Sequence, residues 1–290
     1  MATDKVFHFG KNRSLIGIIS DPVKTDRKIE PVAVVILNSG LLHRIGPNRI
    51  YVKIARALAE AGITAMRFDF SGVGDSEKQH ENLLFEESSV LEAREAMNFL
   101  ETARGIKRFY LTGICSGADV AFQAARVDER VAGIIPIDFY SLPTAGYLVH
   151  SYKKRLISPR SWANLMTGKS EILGLMKKSL NNLPLLKTPD EPEEIDDASR
   201  PEIEKDLLSG FPELLDRDVR LCMIYSAGSP AFYNYQLIFE NDIQTLSVNG
   251  ELQIHYLETA DHGFTLLYHQ EILINLIREW VLETCAESSL

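Results

Sequence analysis

Residues 108–127 read RFYLTGICSGADVAFQAARV. Arg108 to Ile114 has the apolar, aromatic-rich character of a buried strand, and Ser116 to Val127 is an alanine-rich helix. Only Cys115 separates them, so the strand must turn directly into the helix. In a G-x-nucleophile-x-G pattern such as Gly113-Ile114-Cys115-Ser116-Gly117, the central residue sits on a strained strand-to-helix turn. The flanking glycines let the backbone make that turn without Cβ clashes. The helix N-terminus favours negative charge, which helps both a thiolate and an oxyanion. Cys115 is therefore a candidate nucleophile. The competing reading, a buried structural cysteine between chance glycines, is weakened by the position of the motif between strand and helix. Ser116 falls one place past the centre and is expected to contribute its backbone N–H rather than its hydroxyl.

The same alternation continues on either side. Residues 6–10 and 14–21 read as two short strands, a hairpin. Pro31 to Leu37 (PVAVVIL) is a β-branched run of the kind buried on both faces of a parallel sheet. Asn48 to Ala61 carries apolar residues at helical spacing and ends at Gly62. Ile63 to Phe70 is a strand, Glu87 to Ala103 a helix ended by Gly105, and Val131 to Ile137 a strand. Arg220 to Ser226 and Leu252 to Leu257 are the last strands, with helices at 231–240 and 266–283. This rhythm predicts an α/β fold: a mostly parallel sheet with helices on both faces. Residues 140–216 look helical and contain no strand. They are expected to be a helical insertion between core segments 1–139 and 217–290.

Composition narrows the function classes. The 290 residues are 45% hydrophobic and 24% charged, with a net charge of −9. That balance excludes a general nucleic-acid binder, which needs a basic face to neutralise phosphates. No apolar run is long enough to span a bilayer, and MATDKVFHFGKNRS has no apolar stretch of a secretory signal. Three cysteines imply no disulfide framework, so a reduced, cytoplasmic protein is expected.

Three further stretches carry candidate chemistry. Asp261-His262-Gly263 follows the last strand, which puts His262 on a loop at the carboxyl ends of the strands, where open α/β sheets bind ligands. His262 could take a proton from Cys115 or stand as an imidazolium beside a thiolate. Asn38-Ser39-Gly40-Leu41-Leu42-His43-Arg44 follows the strand ending at Leu37. Its small residues could aim the Leu41 N–H at an oxyanion together with the Ser116 N–H, with His43 and Arg44 as a polar rim for substrate. Arg67 to Ser76 (RFDFSGVGDS) has a glycine pair, but Glu77 stands where a dinucleotide-binding loop needs its third glycine. No metal-ligand motif is present, and no cofactor or metal is expected.

Together NSG (38–40), RFDFSGVGDS (67–76), GICSG (113–117) and DHG (261–263) resemble the α/β-hydrolase superfamily. LNSGLLHRIGPNR (37–49) with GICSGAD (113–119) looks closer to bacterial hydrolases associated with exosortase and polysaccharide gene clusters. The cysteine form is also similar to dienelactone hydrolases and polyhydroxyalkanoate synthases. The superfamily usually places an acid just after the strand that here is Arg220 to Ser226, but Ser229 occupies that position. Asp138, at the end of the preceding core strand, is the best substitute; the alternative is that it merely caps the loop. The resemblance implies acyl transfer through a thioester on Cys115, most simply hydrolysis of an ester or thioester. An acyltransferase passing the group to an alcohol or amine, and an inactive hydrolase-fold binding protein, are the alternatives. Within the insertion, residues 151–180 carry a net +6 and residues 190–206 a net −7. The basic half could receive a phosphate-bearing acyl source, coenzyme A or an acyl carrier protein.

Overall fold

The computed structural model describes residues 2–24, 30–78, 83–141, 200–227, 229–246 and 251–287. Its strands are β1 (Thr3–Phe9), β2 (Leu15–Asp21), β3 (Val32–Leu37), β4 (Thr64–Phe68), β5 (Arg108–Ile114), β6 (Val131–Ile137), β7 (Arg220–Ser226) and β8 (Leu252–Leu257). They form one sheet in the order β1-β2-β4-β3-β5-β6-β7-β8. β1 and β2 are the expected hairpin, antiparallel to each other, and β2 is antiparallel to β4. The other neighbours are parallel. β3, with six apolar residues and no alternation, is buried at every position, as a strand covered on both faces must be.

The helices are α1 (Ile50–Glu60), α2 (Phe85–Arg104), α3 (Ser116–Val127), α4 (Arg200–Leu215) and α6 (Leu267–Glu287). Between β7 and β8 lies α5, built from Ala231–Asn234, a wider π turn at Tyr235–Phe239, and Glu240–Leu246. α1 buries Ile50, Ile54 and Leu58, one stripe at helical spacing. It begins two residues later than the sequence pattern suggests, because Asn48 and Arg49 both hold positive φ (49° and 62°) and cannot join a right-handed helix. α2 ends as expected, with Gly105 in the left-handed region at φ 70°.

α1 and α6 share one apolar cluster with Val32, Val34 and Ile36 of β3 and with Trp280. A second core lies beside α3, where Phe122 sits 4.9 Å from Phe211 and 5.0 Å from Phe139, centroid to centroid. Each such ring removed from water contributes on the order of 2 kcal/mol. The chain divides into two compact units, Met1–Leu142 with Leu208–Leu290, and Pro143–Leu207. Most of the insertion expected at 140–216, including its basic segment and most of its acidic one, lies outside the described residues. Among the described residues, no helix is long and apolar enough to cross a membrane.

Candidate active site

The parallel register brings four strand ends level. Leu37 pairs with Gly113, Ile114 with Ile137, and Ile137 with Ile224. From β3 the chain passes to β4 on one side and then to β5 on the other. The crevice beyond β3 and β5 is thus the switch point at which such sheets bind ligands.

Cys115 fills the turn between β5 and α3 with φ 57° and ψ −124°. A non-glycine residue held in such a region costs about 1–3 kcal/mol, and persists only where its surroundings enforce it. Here the Cys115 N–H donates to the Ile137 carbonyl at 2.9 Å, and the Cys115 carbonyl accepts from Ala118 N–H at 2.7 Å. The strain lies on the cysteine; the glycines serve close approach. A Cβ on Gly113 would lie 2.6 Å from the Gly117 carbonyl carbon, and one on Gly117 would lie 2.5 Å from the Asn38 carbonyl oxygen. The first turn of α3 can therefore rest directly on the end of β3.

Asp138, the first residue past β6, is fully buried and also has positive φ, 51°. Its N–H donates to the Ile224 carbonyl at 2.8 Å. Its carboxylate accepts the Ser226 N–H and the Ser226 hydroxyl, both at 2.7 Å, and His262 Nδ1 at 2.7 Å. The Cys115 side chain is close enough to the His262 ring to act on its charge. The hydrogen bond to Asp138 and then the interaction with Cys115 raise the His262 pKa to about 10, against the opposing effect of partial burial. Cys115, His262 and Asp138 thus lie together, with His262 hydrogen-bonded to Asp138 and acted on by Cys115. Ser229, at the position where an acid was sought, instead accepts the Ala231 N–H at 3.1 Å, just before α5.

The His262 loop is clamped from several directions. Asp261 accepts the Thr265 N–H at 2.9 Å and the Thr265 hydroxyl at 2.6 Å. Asn48 Nδ2 donates to the Gly263 carbonyl at 2.9 Å, and Gln270 Nε2 to the Phe264 carbonyl at 2.7 Å. Lys53 in turn holds the Gln270 side-chain oxygen.

The loop after β3 carries Leu41, whose N–H was expected to face an oxyanion together with the Ser116 N–H. No acceptor for the Leu41 N–H or the Ser116 N–H occurs among the described residues, which leaves both available to a ligand. Two expectations are corrected. The Ser116 hydroxyl does matter: it accepts the Gly40 N–H at 2.7 Å and ties this loop to the Cys115 turn. Arg44 is no free rim cation. Its guanidinium is committed to buried Asp69 and to Asp75, and its N–H donates to Asp69 at 2.5 Å, so it braces the 38–49 loop against the 69–76 loop. His43 is exposed.

Sequence reasoning missed Ser141, whose hydroxyl oxygen is 2.8 Å from the Cys115 sulfur, along with Ser226 and Gln270. Ser226 alone had a visible signal: it ends the strand that neighbours the one ending before Asp138.

The family model described as the alpha/beta hydrolase fold matches residues 33–145, the span from β3 through the Cys115 turn to Asp138 and beyond. The chain has the α/β-hydrolase fold. Solved structures of that fold align over nearly the whole chain. A dienelactone hydrolase of Anabaena variabilis is 12% identical, with 98% of this chain and 97% of that one covered and a TM-score of 0.56. Est1E of Butyrivibrio proteoclasticus, solved with ferulic acid bound, is 14% identical, with 94% and 96% covered and a TM-score of 0.56. An alpha-beta serine hydrolase homologue of Coxiella burnetii is 14% identical, with 96% of each chain covered and a TM-score of 0.52. A search of curated proteins finds no match. Identities this low establish the α/β-hydrolase fold and leave the chemistry to the site itself.

Proposed function

We propose that this chain is an acyl-transfer enzyme that hydrolyses an ester or thioester through Cys115. The observation that carries the reading is the grouping of Cys115 with His262, whose Nδ1 lies 2.7 Å from the carboxylate of buried Asp138. A serine-type triad has the same three roles: nucleophile, base and orienting acid.

In this reading the Cys115 sulfur attacks the substrate carbonyl carbon while His262 holds the sulfur's proton. The carbonyl oxygen becomes an oxyanion and receives the N–H groups of Leu41 and Ser116. Collapse breaks the bond to the leaving alcohol or thiol, which takes its proton from His262, and a thioester remains on Cys115. Water then attacks that thioester, gives a proton to His262, and releases the carboxylic acid and the thiol. Asp138 keeps Nδ1 of His262 as a donor throughout, so that the other ring nitrogen faces the chemistry.

The substrate proposal is an acyl group with an apolar portion. Leu41, on the loop after β3, and Leu266, Leu267 and Tyr268, at the start of α6 just past the His262 loop, expose large apolar side chains, at 89%, 59%, 66% and 66%. Apolar surface of this kind suits an apolar acyl chain. Turnover of activated esters and acyl thioesters of increasing chain length tests both parts. Hydrolysis that is lost in Cys115→Ala supports the reading. Equal hydrolysis by the two proteins would refute it.

A further inference from the structure

Ser141 stands outside the group of Cys115, His262 and Asp138, yet its hydroxyl oxygen lies 2.8 Å from the Cys115 sulfur. The backbone that delivers it is held at a cost. Asp138 and Tyr140 both carry positive φ, 51° and 53°, and neither is glycine. Strain of this kind persists only where the surroundings over-determine it.

They do so here. The Asp138 N–H donates to the Ile224 carbonyl at 2.8 Å, and the Tyr140 N–H donates to Asp119 at 3.0 Å. Buried Asn234 donates from Nδ2 to the Tyr140 carbonyl at 2.8 Å. Asp119 lies four residues past Cys115, one turn along α3, so the 138–141 turn is tied to the helix that carries the nucleophile. The rings of Phe139 and Tyr140 anchor the turn against Phe122 and Phe239, at 5.0 Å and 5.5 Å. One short segment therefore presents Asp138 to His262 at one end and Ser141 to Cys115 at the other.

The two protonation states of the sulfur value that contact differently. A neutral thiol is a weak donor and a weak acceptor. A thiolate is an anionic acceptor, and hydrogen bonds to ionised groups are roughly twice as strong as neutral ones. We propose that Ser141 is a further catalytic residue of this site: its hydroxyl donates to the Cys115 thiolate and holds it in the resting enzyme. The hydroxyl keeps its own proton throughout and no bond at Ser141 is made or broken. The proposal rests on the reading of Cys115 as the reactive thiol.

The test is the rate of Cys115 alkylation by iodoacetamide against pH in the full chain, with the site located by peptide mass mapping. It needs no acyl substrate, so an absence of turnover, which would defeat the proposed function, leaves this result readable. Ser141→Ala is expected to move the midpoint of the profile upward by about one to two pH units, the worth of one hydrogen bond to a charged group. Ser141→Thr, which keeps the hydroxyl, is expected to stay near the wild-type midpoint. Where Ser141→Ala does not fold, Ser141→Thr and Ser141→Val, alike in shape and different in the hydroxyl, give the same comparison. A midpoint in Ser141→Ala equal to wild type, equal midpoints in the Thr and Val variants, or a wild-type profile without pH dependence overturns the proposal.

Discussion

Cys115 and Asp138 stand side by side at the ends of adjacent parallel strands. Ile114 pairs with Ile137, and each of the two residues is the next along its chain. Both leave the strand with positive φ, 57° and 51°. The Cys115 N–H continues the ladder onto Ile137, and the Asp138 N–H continues it onto Ile224. Cys115 and Asp138 are thus fixed by the rigid sheet, and His262 is brought to them by a loop.

Asp138→Asn keeps the volume of the acid and removes its charge. The amide cannot accept from both Ser226 and His262 with the nitrogen it gains, so His262 loses its orienting partner. Loss of that partner from a triad costs on the order of 10³- to 10⁴-fold in rate. Turnover of an activated ester measures this. A variant retaining half of wild-type activity would remove Asp138 from the mechanism.

Ser226 and Ser229 make a paired comparison. Ser226→Ala strips one donor from a buried carboxylate and is expected to cost about 1.5–3 kcal/mol of stability, the range for a hydrogen bond to a charged group, together with part of the activity. Ser229→Ala removes only the acceptor of the Ala231 N–H, worth about 1 kcal/mol, and is expected to leave turnover unchanged. Denaturant unfolding and ester turnover on both variants check it. Turnover in Ser229→Ala that falls as far as in Ser226→Ala would contradict the placement of the acid on β6.

The sequence pattern carried the sheet and much of the site. Apolar runs located the strands, with Thr3–Lys5 of β1 the main omission; those residues are polar and hold their place through pairing with Ile19–Asp21. Strand-turn-helix continuity located Cys115, a histidine beside a glycine after the last strand located His262, and the missing carboxylate near Ser229 pointed back to Asp138. What stayed hidden are contacts set by distant backbone geometry. Arg44 meets Asp69, 25 residues away, and Asn48 meets Gly263, 215 away. Periodicity encodes which face a residue takes, and it is silent on which polar group waits there. Ser141 is the clearest case, since its aim depends on two strained residues whose conformation no composition rule predicts.

Gly117→Ala tests the seating of α3 on β3. The added Cβ would meet the Asn38 carbonyl at 2.5 Å and the Leu37 carbonyl at 2.8 Å, both backbone atoms that cannot swing aside. Overpacking of this kind costs about 1–3 kcal/mol, and it should also push the Leu41 and Ser116 N–H groups apart. A melting temperature lowered by several degrees with a disproportionate loss of turnover is expected. A variant as stable and as active as wild type would show that the close approach has slack.

Two groups give pH dependences from different causes. His262 has a folded pKa raised to about 10 from 6.5. Its contribution to stability is complete below about 6.5 and is lost as pH rises through about 10. Asp119 is half-buried, and desolvation of its carboxylate outweighs the Tyr140 N–H it accepts, raising its pKa to about 7 from 3.8. The unfolded chain releases that proton first, so stability falls as pH rises from about 4 to about 7. Unfolding followed across both ranges should therefore show Asp119→Asn gaining on wild type up to pH 7. His262→Gln should lose the decline between 6.5 and 10. Parallel profiles for wild type and Asp119→Asn would refute the desolvated-carboxyl argument.

The central claim is a thioester on Cys115. The most direct measurement is intact-mass analysis of the full chain after rapid mixing with an activated ester, with peptide mapping of the adduct. The expected result is a single acyl adduct on Cys115 that is absent in Cys115→Ala. An adduct mapped to Ser116 or Ser141, or turnover that persists undiminished in Cys115→Ala, would contradict it.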